Sequence, residues 1–340
     1  MAQTFKYLKP SDVAQEATYV YEYVPMTGTL FSGTYGAFMS ETNVLTYSHG
    51  MFESVYDYPY LSSSANKLMD ISMGYAASSA LSASANYLNA KKIQMYNVHA
   101  QRLMGFDATG SIQLFDADGN LSGGTKLKEC IFMDISRAMA KDGIKKGSIS
   151  LTYLNAGTAA APTTQATMTD AHAPTDYFTN SPVGDWATLK NGSTVEGLVF
   201  YQAGVIVLTA SIFAGATTVV TSGSTNVAIN PALTGTAITG TADALRRRIV
   251  NLQFSNTTEL NSTSYFIKLG HNEFNYSSNP TYLTGSKIRI KNTAGEQPVS
   301  YITTVGLYSA DNELLAVAKL SQPIKKTPGN SPTLKVRLDH

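Results

Sequence analysis

Cysteine is almost absent from this chain of 340 residues. Cys130 stands alone, which excludes a disulfide within the chain and any multi-cysteine zinc site. It sits in the apolar run Cys130-Ile-Phe-Met133, the setting of a buried small hydrophobe. Charge is scarce as well. Only 14% of residues are charged and the net charge is +1, against about 25% charged in an ordinary soluble domain. A near-neutral chain lacks the basic face that nucleic acid requires. So little charge suits a surface covered largely by other subunits. Long hydrophobic runs are missing. The longest, residues 198–214, is interrupted by Gln202, Gly204, Thr209 and Ser211, and is too short and too rich in β-formers for a membrane helix. The opening Met-Ala-Gln-Thr-Phe-Lys has no apolar signal core, so the expectation is synthesis and folding in the cytoplasm, with no membrane partner.

Catalytic and ligand motifs are equally sparse. No two of His49, His99, His172, His271 and His340 lie three or four residues apart, and none neighbours Cys130, so no compact metal set is expected. The run 116–120 (DADGN) starts like a calcium loop, but Leu121 stands where glycine is needed and Leu127 where a bidentate Glu should sit; a hairpin turn is the better reading. There is no Gly-x-Ser-x-Gly elbow, phosphate loop or dinucleotide fingerprint. Arg246, Arg247 and Arg248 are the densest basic cluster, read as an interface ion-pair cluster or a solvated helical turn. The chain is therefore expected not to be an enzyme and to need no cofactor, metal or small-molecule substrate.

What is present is β-forming and aromatic. Hydrophobic residues make up 43%, enough for a sizeable core, and there are 20 tyrosines, a residue favoured at interfaces. Tyr19, Tyr21 and Tyr23 alternate with Val20, Glu22 and Val24, a strand period. Residues 128–135, 148–154, 195–213 (two strands about Gly204), 263–269 and 333–338 also read as strands. Residues 86–104 have helical spacing and end at Gly105. Residues 136–146 read as a short helix capped by Ser136, and 243–249 as one or two helical turns. The expected fold is mainly β (α+β): β-sandwich-like antiparallel sheets with a few short helices and an extended N-terminal arm. The regions drawn are 1–65, an aromatic-rich arm with strands; 66–155, mixed; 156–245, β-rich with low-complexity loops; and 246–340, a C-terminal β domain.

Two surfaces are candidate interfaces. Tyr47, Phe52, Tyr56, Tyr58 and Tyr60 crowd residues 47–61, with Phe38 just upstream, and such a cluster left exposed would be a liability. The second is a C-terminal hairpin over residues 299–320, turning at Ser309, Asp311, Asn312 and Glu313. Its expected inward residues are Val305, Leu307, Leu315 and Val317. Residues 321–326 are expected to be free, with Pro323 and Pro328 stopping the strand.

The pattern of this hairpin, residues 302–308 (ITTVGLY), a polar turn, then 313–320 (ELLAVAKL), resembles segments of tail, baseplate and fibre-attachment proteins of tailed bacteriophages. Residues 52–66 (FESVYDYPYLSSSAN), 103–112 (LMGFDATGSI), 256–263 (NTTELNST) and 274–282 (FNYSSNPTY) are similar to virion structural proteins of T4-like marine and cyanobacterial phages. The resemblance implies a structural component of a virion tail, made in the host bacterial cytoplasm. It implies homo-oligomeric contacts and partners among other tail, baseplate or neck proteins, without a cofactor. The last seventy or so residues resemble baseplate wedge proteins. A neck, collar or fibre-attachment role is the alternative, and a tail-associated hydrolase, which would need paired carboxylates in a groove, is the competing class.

Overall fold

A computed structural model of the chain describes residues 5–26, 41–121, 123–157, 162–213, 215–216, 219–221, 225–227, 233–234, 238–277, 283–284, 287–288 and 298–340. The fold is mainly β: strand takes 49% and helix 14%, well under a third. The chain forms two compact units, Val20–Thr258 and a second built from Met1–Tyr19 with Glu259–His340. Neither crossing, at Tyr19/Val20 or Thr258/Glu259, carries the Gly, Pro or Ser signal of a linker. Both fall inside strands.

The strands up to residue 157 are β1 (Val13–Pro25), β2 (Val44–Thr46), β3 (Glu53–Tyr56), β4 (Lys67–Tyr75), β5 (Phe115–Asp116), β6 (Lys126–Leu127), β7 (Glu129–Ile135), β8 (Gly143–Ile144) and β9 (Ser150–Gly157). Then come β10 (Pro162–Thr169), β11 (Phe178–Ser181), β12 (Gly184–Asn191), β13 (Thr194–Phe200), β14 (Val205–Thr209), the short β15 (Gly215–Ala216), β16 (Val219–Thr221) and β17 (Thr225–Val227), and the long β18 (Ile249–Lys268). In the larger unit the sheet order is β1-β18-β9-β10-β12-β13-β14-β7-β4-β3-β2. The sheet is antiparallel apart from β15, which runs parallel to β9. Residues 44–56 of the expected arm are thus strands at one sheet edge, because β3 pairs with β4. Phe38 lies outside the described residues.

Two hydrophobic clusters lie on opposite faces of this sheet. Along β7, Ile131 and Met133 join one, while Cys130 and Phe132 join the other. Along β14, Ile206 and Leu208 separate from Val205 and Val207 in the same way. Strands buried on both faces lose polar alternation, which is why residues 195–213 read as a nearly continuous apolar run. Helix α1 (Asn89–Leu103) covers the second face with Tyr96, Ala100 and Leu103. It ends as the sequence predicts: Gly105 adopts φ 79° and its N–H reaches back to Ala100 O. Helix α2 (Arg137–Ala140) is capped by the Ser136 hydroxyl, which accepts from Ala138 N, but it stops well short of residue 146. Gly143 and Ile144 are instead bound as β8 against Asn256 and Thr257 of β18. Helix α3 (Thr239–Arg246) begins earlier than expected and is buried throughout. Its Ala242, Ala244 and Leu245 enter the first cluster.

Lys92 of α1 is fully buried, with Nζ donating to Leu233 O at 2.7 Å. Burial holds its pKa down at about 8. In the unfolded chain a lysine titrates near 10.4, so between about pH 8 and 10.4 the unfolded state binds more protons and stability rises with pH. Lys92→Met should remove that rise. Urea-midpoint profiles of the two proteins that run parallel across this window would contradict the assignment.

The smaller unit is built differently. Here β18 pairs with β23 (Thr333–Asp339), from Ser262↔Asp339 to Lys268↔Thr333. Two short strands, β19 (Leu283–Thr284) and β20 (Lys287–Ile288), pair with each other, and β21 (Ser300–Tyr308) forms the terminal hairpin with β22 (Leu314–Lys326). Only Leu269 and Leu334 are buried hydrophobics among the described residues of this unit. Both hydrophobic clusters belong to the larger one.

The hairpin corrects three expectations. First, Leu307 pairs with Ala316 while Tyr308 pairs with Leu314, so Leu315 is an extra residue in a bulge. A one-residue slip reverses which side chains share a face. Ala316 and Ala318 therefore stand where Leu315 and Val317 were expected, and the latter two are 62% and 53% exposed. Second, β22 runs through Pro323. The register jumps from Ile302↔Ile324 to Thr304↔Lys319, so Pro323 falls in an irregular stretch where its missing N–H costs no ladder bond. Third, Lys326 is not free. It is buried, and its ammonium donates to His271 O, Asn275 Oδ1 and Thr327 O at 3.2, 2.8 and 2.8 Å.

Candidate interaction surfaces

The densest group of titratable side chains lies on one face of the larger unit. Cross-strand pairing aligns Ser54 with Asp70, and Asp70 with Asp134. The Ser54 hydroxyl donates to Asp70 Oδ1 at 2.6 Å and Lys67 holds the other oxygen at 2.6 Å. His99 and Arg102, on α1, reach Asp134 at 3.0 and 3.4 Å. The His99 ring stacks on Phe132 at 4.0 Å, and its Nδ1 meets Met95 O at 2.9 Å. Both imidazole nitrogens are thus engaged within the protein, and Ser54 bonds a carboxylate rather than an imidazole. The arrangement ties α1 to the sheet. His99 and Asp134 are 35 residues apart, and only the helical phase of Met95, His99 and Arg102 hints at a shared face.

Several other buried ionisable groups are similarly committed. Asp170 accepts from Gly147 N, Ile149 N and Tyr201 Oη, each at 2.8 Å, and burial raises its pKa. Asp116, in the turn that looked like a calcium loop, is fully buried and salt-bridged to Lys126 at 2.5 Å across the β5–β6 pair. Arg246 and Arg248 are neither solvated nor at an outer interface. Arg246 pairs with Asp243, and Arg248 Nη1 donates to Leu154 O and Ala156 O at 2.8 and 3.1 Å. Among the described residues no three His, Cys, Asp or Glu side chains group as metal ligands, and no helix is long and apolar enough to cross a membrane.

The aromatic candidates of residues 47–61 pack mainly on each other. Tyr47 lies 4.7 Å from Phe52 and 5.2 Å from His49, with its hydroxyl 3.3 Å from Ser54 Oγ. Tyr56 and Tyr60 are 6.4 Å apart and half-buried. Tyr58 is the most open, 44% exposed. The turn candidates sit at the tip of the hairpin in the smaller unit. The Ser309 hydroxyl accepts from Asp311 N and Glu313 N at 3.2 and 3.1 Å, and Asn312 takes the left-handed φ of 64° that the turn demands. Ser309 therefore builds the turn, whereas the Asp311 and Glu313 side chains point out as exposed charges.

Two exposed apolar strands complete the picture. Strand β1 is an edge of the sheet order, exposed from Ala14 to Tyr23, with Tyr19, Val20, Tyr21 and Tyr23 each about half open. In the hairpin, Tyr308, Leu314, Leu315 and Val317 are open, and Phe5 meets Tyr308 edge-on at 5.4 Å. Between the hairpin and the β18–β23 pair lies a cleft of about 710 Å³, lined by Tyr265, Ile267, Ile302, Leu307, Val336 and Leu338 among others. The sequence reading named the tyrosine alternation of β1 but not its exposure. That depends on β1 having a strand neighbour, β18, on one side only among the described residues. Comparison with protein-family models, with curated proteins and with solved structures finds no match for this chain.

Proposed function

We propose that the chain is a structural subunit of a tailed-phage virion, in the baseplate or tail, and that it works through protein–protein contacts with its own copies and with neighbouring tail proteins. The observation that carries this reading is the long, exposed, tyrosine-bearing edge strand β1. Free-standing proteins blunt such edges with charge, proline or a covering loop. Here the exposed stretch from Ala14 to Tyr23 holds only Glu16 and Glu22 as charges and no proline. Low overall charge and the segments similar to phage virion proteins point the same way. A catalytic tail component is less well supported. Asp70 and Asp134, the carboxylates brought side by side, are each neutralised by their own cations. A neck, collar or fibre-attachment position fits the same features. Mass spectrometry of purified tails separated from heads tests the reading: recovery in the tail fraction supports it, and absence from the whole particle ends it.

A further inference from the structure

We infer that this chain closes an isopeptide bond inside its smaller unit, joining the Lys326 side chain to the Asn275 carboxamide. The two residues are 51 apart in sequence and meet where both are buried, Lys326 at 0% and Asn275 at 7% exposure. Lys326 Nζ lies 2.8 Å from Asn275 Oδ1, so the amide carbon stands one bond beyond that contact. Near-attack arrangements hold reacting atoms about 3–3.5 Å apart, and this contact falls close to that range. The two nitrogens concerned also share one acceptor. His271 O takes a hydrogen bond from Nζ at 3.2 Å and from Asn275 Nδ2 at 2.8 Å. The entering and the leaving nitrogen are thereby held side by side.

The surroundings fix the pair. Asn275 lies on the segment after β18, and Glu273 ties that segment down by accepting from Gly270 N and pairing with Lys6, each at 2.7 Å. Lys326 ends β22 opposite Ser300, whose hydroxyl donates to Phe274 O, next to Asn275. Burial lowers the Lys326 pKa, against a smaller opposing pull from Glu273, and so favours the free amine that the reaction needs. Burial also keeps away water, which would otherwise compete for the amide carbon.

The step balances without a co-reactant. The ammonium gives up one proton and its lone pair forms the Nζ–Cγ bond. The Cγ–Nδ2 bond breaks, and Nδ2 leaves as ammonia with a second proton from Nζ. The first proton ends on that ammonia, and an amide N–H remains on Lys326. The reaction runs once per chain, so holding the two groups together serves in place of turnover. Composition gives a reason for such a staple. This unit buries only Leu269 and Leu334 among its described hydrophobics, and the chain's one cysteine, Cys130, belongs to the larger unit. Domains with so small a core are commonly held by covalent cross-links, and a disulfide is closed to this one. The inference does not rest on the virion reading, and its test needs only the isolated chain.

Intact-mass spectrometry of the full chain should find it lighter than its sequence by one ammonia. A tryptic digest should contain a branched peptide in which residues 269–287 are joined to residues 326–335, uncleaved after Lys326. Lys326→Arg and Asn275→Ala should each restore the full mass, remove the branched peptide and lower the urea midpoint. The wild-type mass and digest need no variant, so they decide the matter even where a variant fails to fold. A wild type of full sequence mass, still without the branched peptide after prolonged incubation at mildly alkaline pH, would overturn the bond and leave Lys326 a hydrogen-bonded buried cation. So would an ammonia loss that maps elsewhere, such as a cyclic imide at Asn191-Gly192, or one that persists in Lys326→Arg.

Discussion

Asp243→Ala should be among the most damaging single changes in this protein, lowering stability by about 3–5 kcal/mol. Asp243 and Arg246 lie one turn apart on α3, with side chains only 4% and 0% exposed. The guanidinium donates to Asp243 Oδ1 from Nε at 3.1 Å and also from Nη2. Deleting the carboxylate takes a counter-charge away from a buried cation, and a desolvated charge costs far more than a lost hydrogen bond. Removing both charges should hurt less than removing one. Asp243→Ala combined with Arg246→Met should recover much of the loss in a urea titration, because the methionine keeps the buried volume without the charge. If the double variant were no more stable than Asp243→Ala, the damage would lie in packing and the electrostatic account would fail.

Gly74→Ala should cost about 1–3 kcal/mol or more, although it adds a single methyl group. Gly74 lies in β4 where α1 crosses, and a Cβ there would stand 2.5 Å from Lys92 O and 2.6 Å from Tyr96 N. Both are backbone atoms, so no rotamer change relieves the clash and α1 itself must move. That helix carries Tyr96, whose hydroxyl donates to Leu127 O at 2.7 Å and accepts from Phe115 N at 3.3 Å. Displacement would therefore loosen the second cluster as well. Near-ultraviolet circular dichroism and the urea midpoint should change together. A Gly192→Ala comparison separates backbone strain from crowding, since Gly192 has a positive φ (61°) with open space around it, whereas Gly74 has the crowding without the positive φ. A Gly74 variant as stable as wild type would show that the strand and helix are not in such contact.

The parts of the fold legible in the sequence are those written in short-range periodicity. The alternation in residues 148–154 and 333–338, the apolar run of β7 and the helical spacing before Gly105 each describe one element and its neighbours. The larger unit's sheet places β18 between β1 and β9, joining segments about 100 residues or more apart, and nothing local encodes that choice. The hairpin shows the limit most clearly. Its turn was legible from Asp311 and Asn312, yet one bulged residue, Leu315, reversed the faces from Ala316 to Lys319. A bulge has no composition signature here, and a period-two reading that misses one residue misassigns every later one. The interface candidates fared according to what competes for them. Tyr47 and Phe52 were drawn into contacts with their own neighbours, whereas Asp311 and Glu313 stayed exposed because Ser309 satisfies the turn backbone. The His99–Asp134 contact was invisible because it needs both a helix phase and a sheet register.

The make-up of the smaller unit sets an order of events during synthesis. Its walls come from segments on either side of the larger unit in sequence: Lys6 is salt-bridged to Glu273 at 2.7 Å, and Phe5 meets Tyr308 edge-on. Roughly 240 residues of the larger unit separate these partners. A ribosome working at about 5–20 residues per second delivers the second strip roughly 10–50 s after the first. The larger unit can condense in the meantime around clusters complete by Phe254. The early strip has to wait unpaired, with Phe5 and Tyr7 open to solvent. The later strip, when it arrives, keeps Tyr308, Leu314, Leu315 and Val317 open to solvent even after the unit has closed.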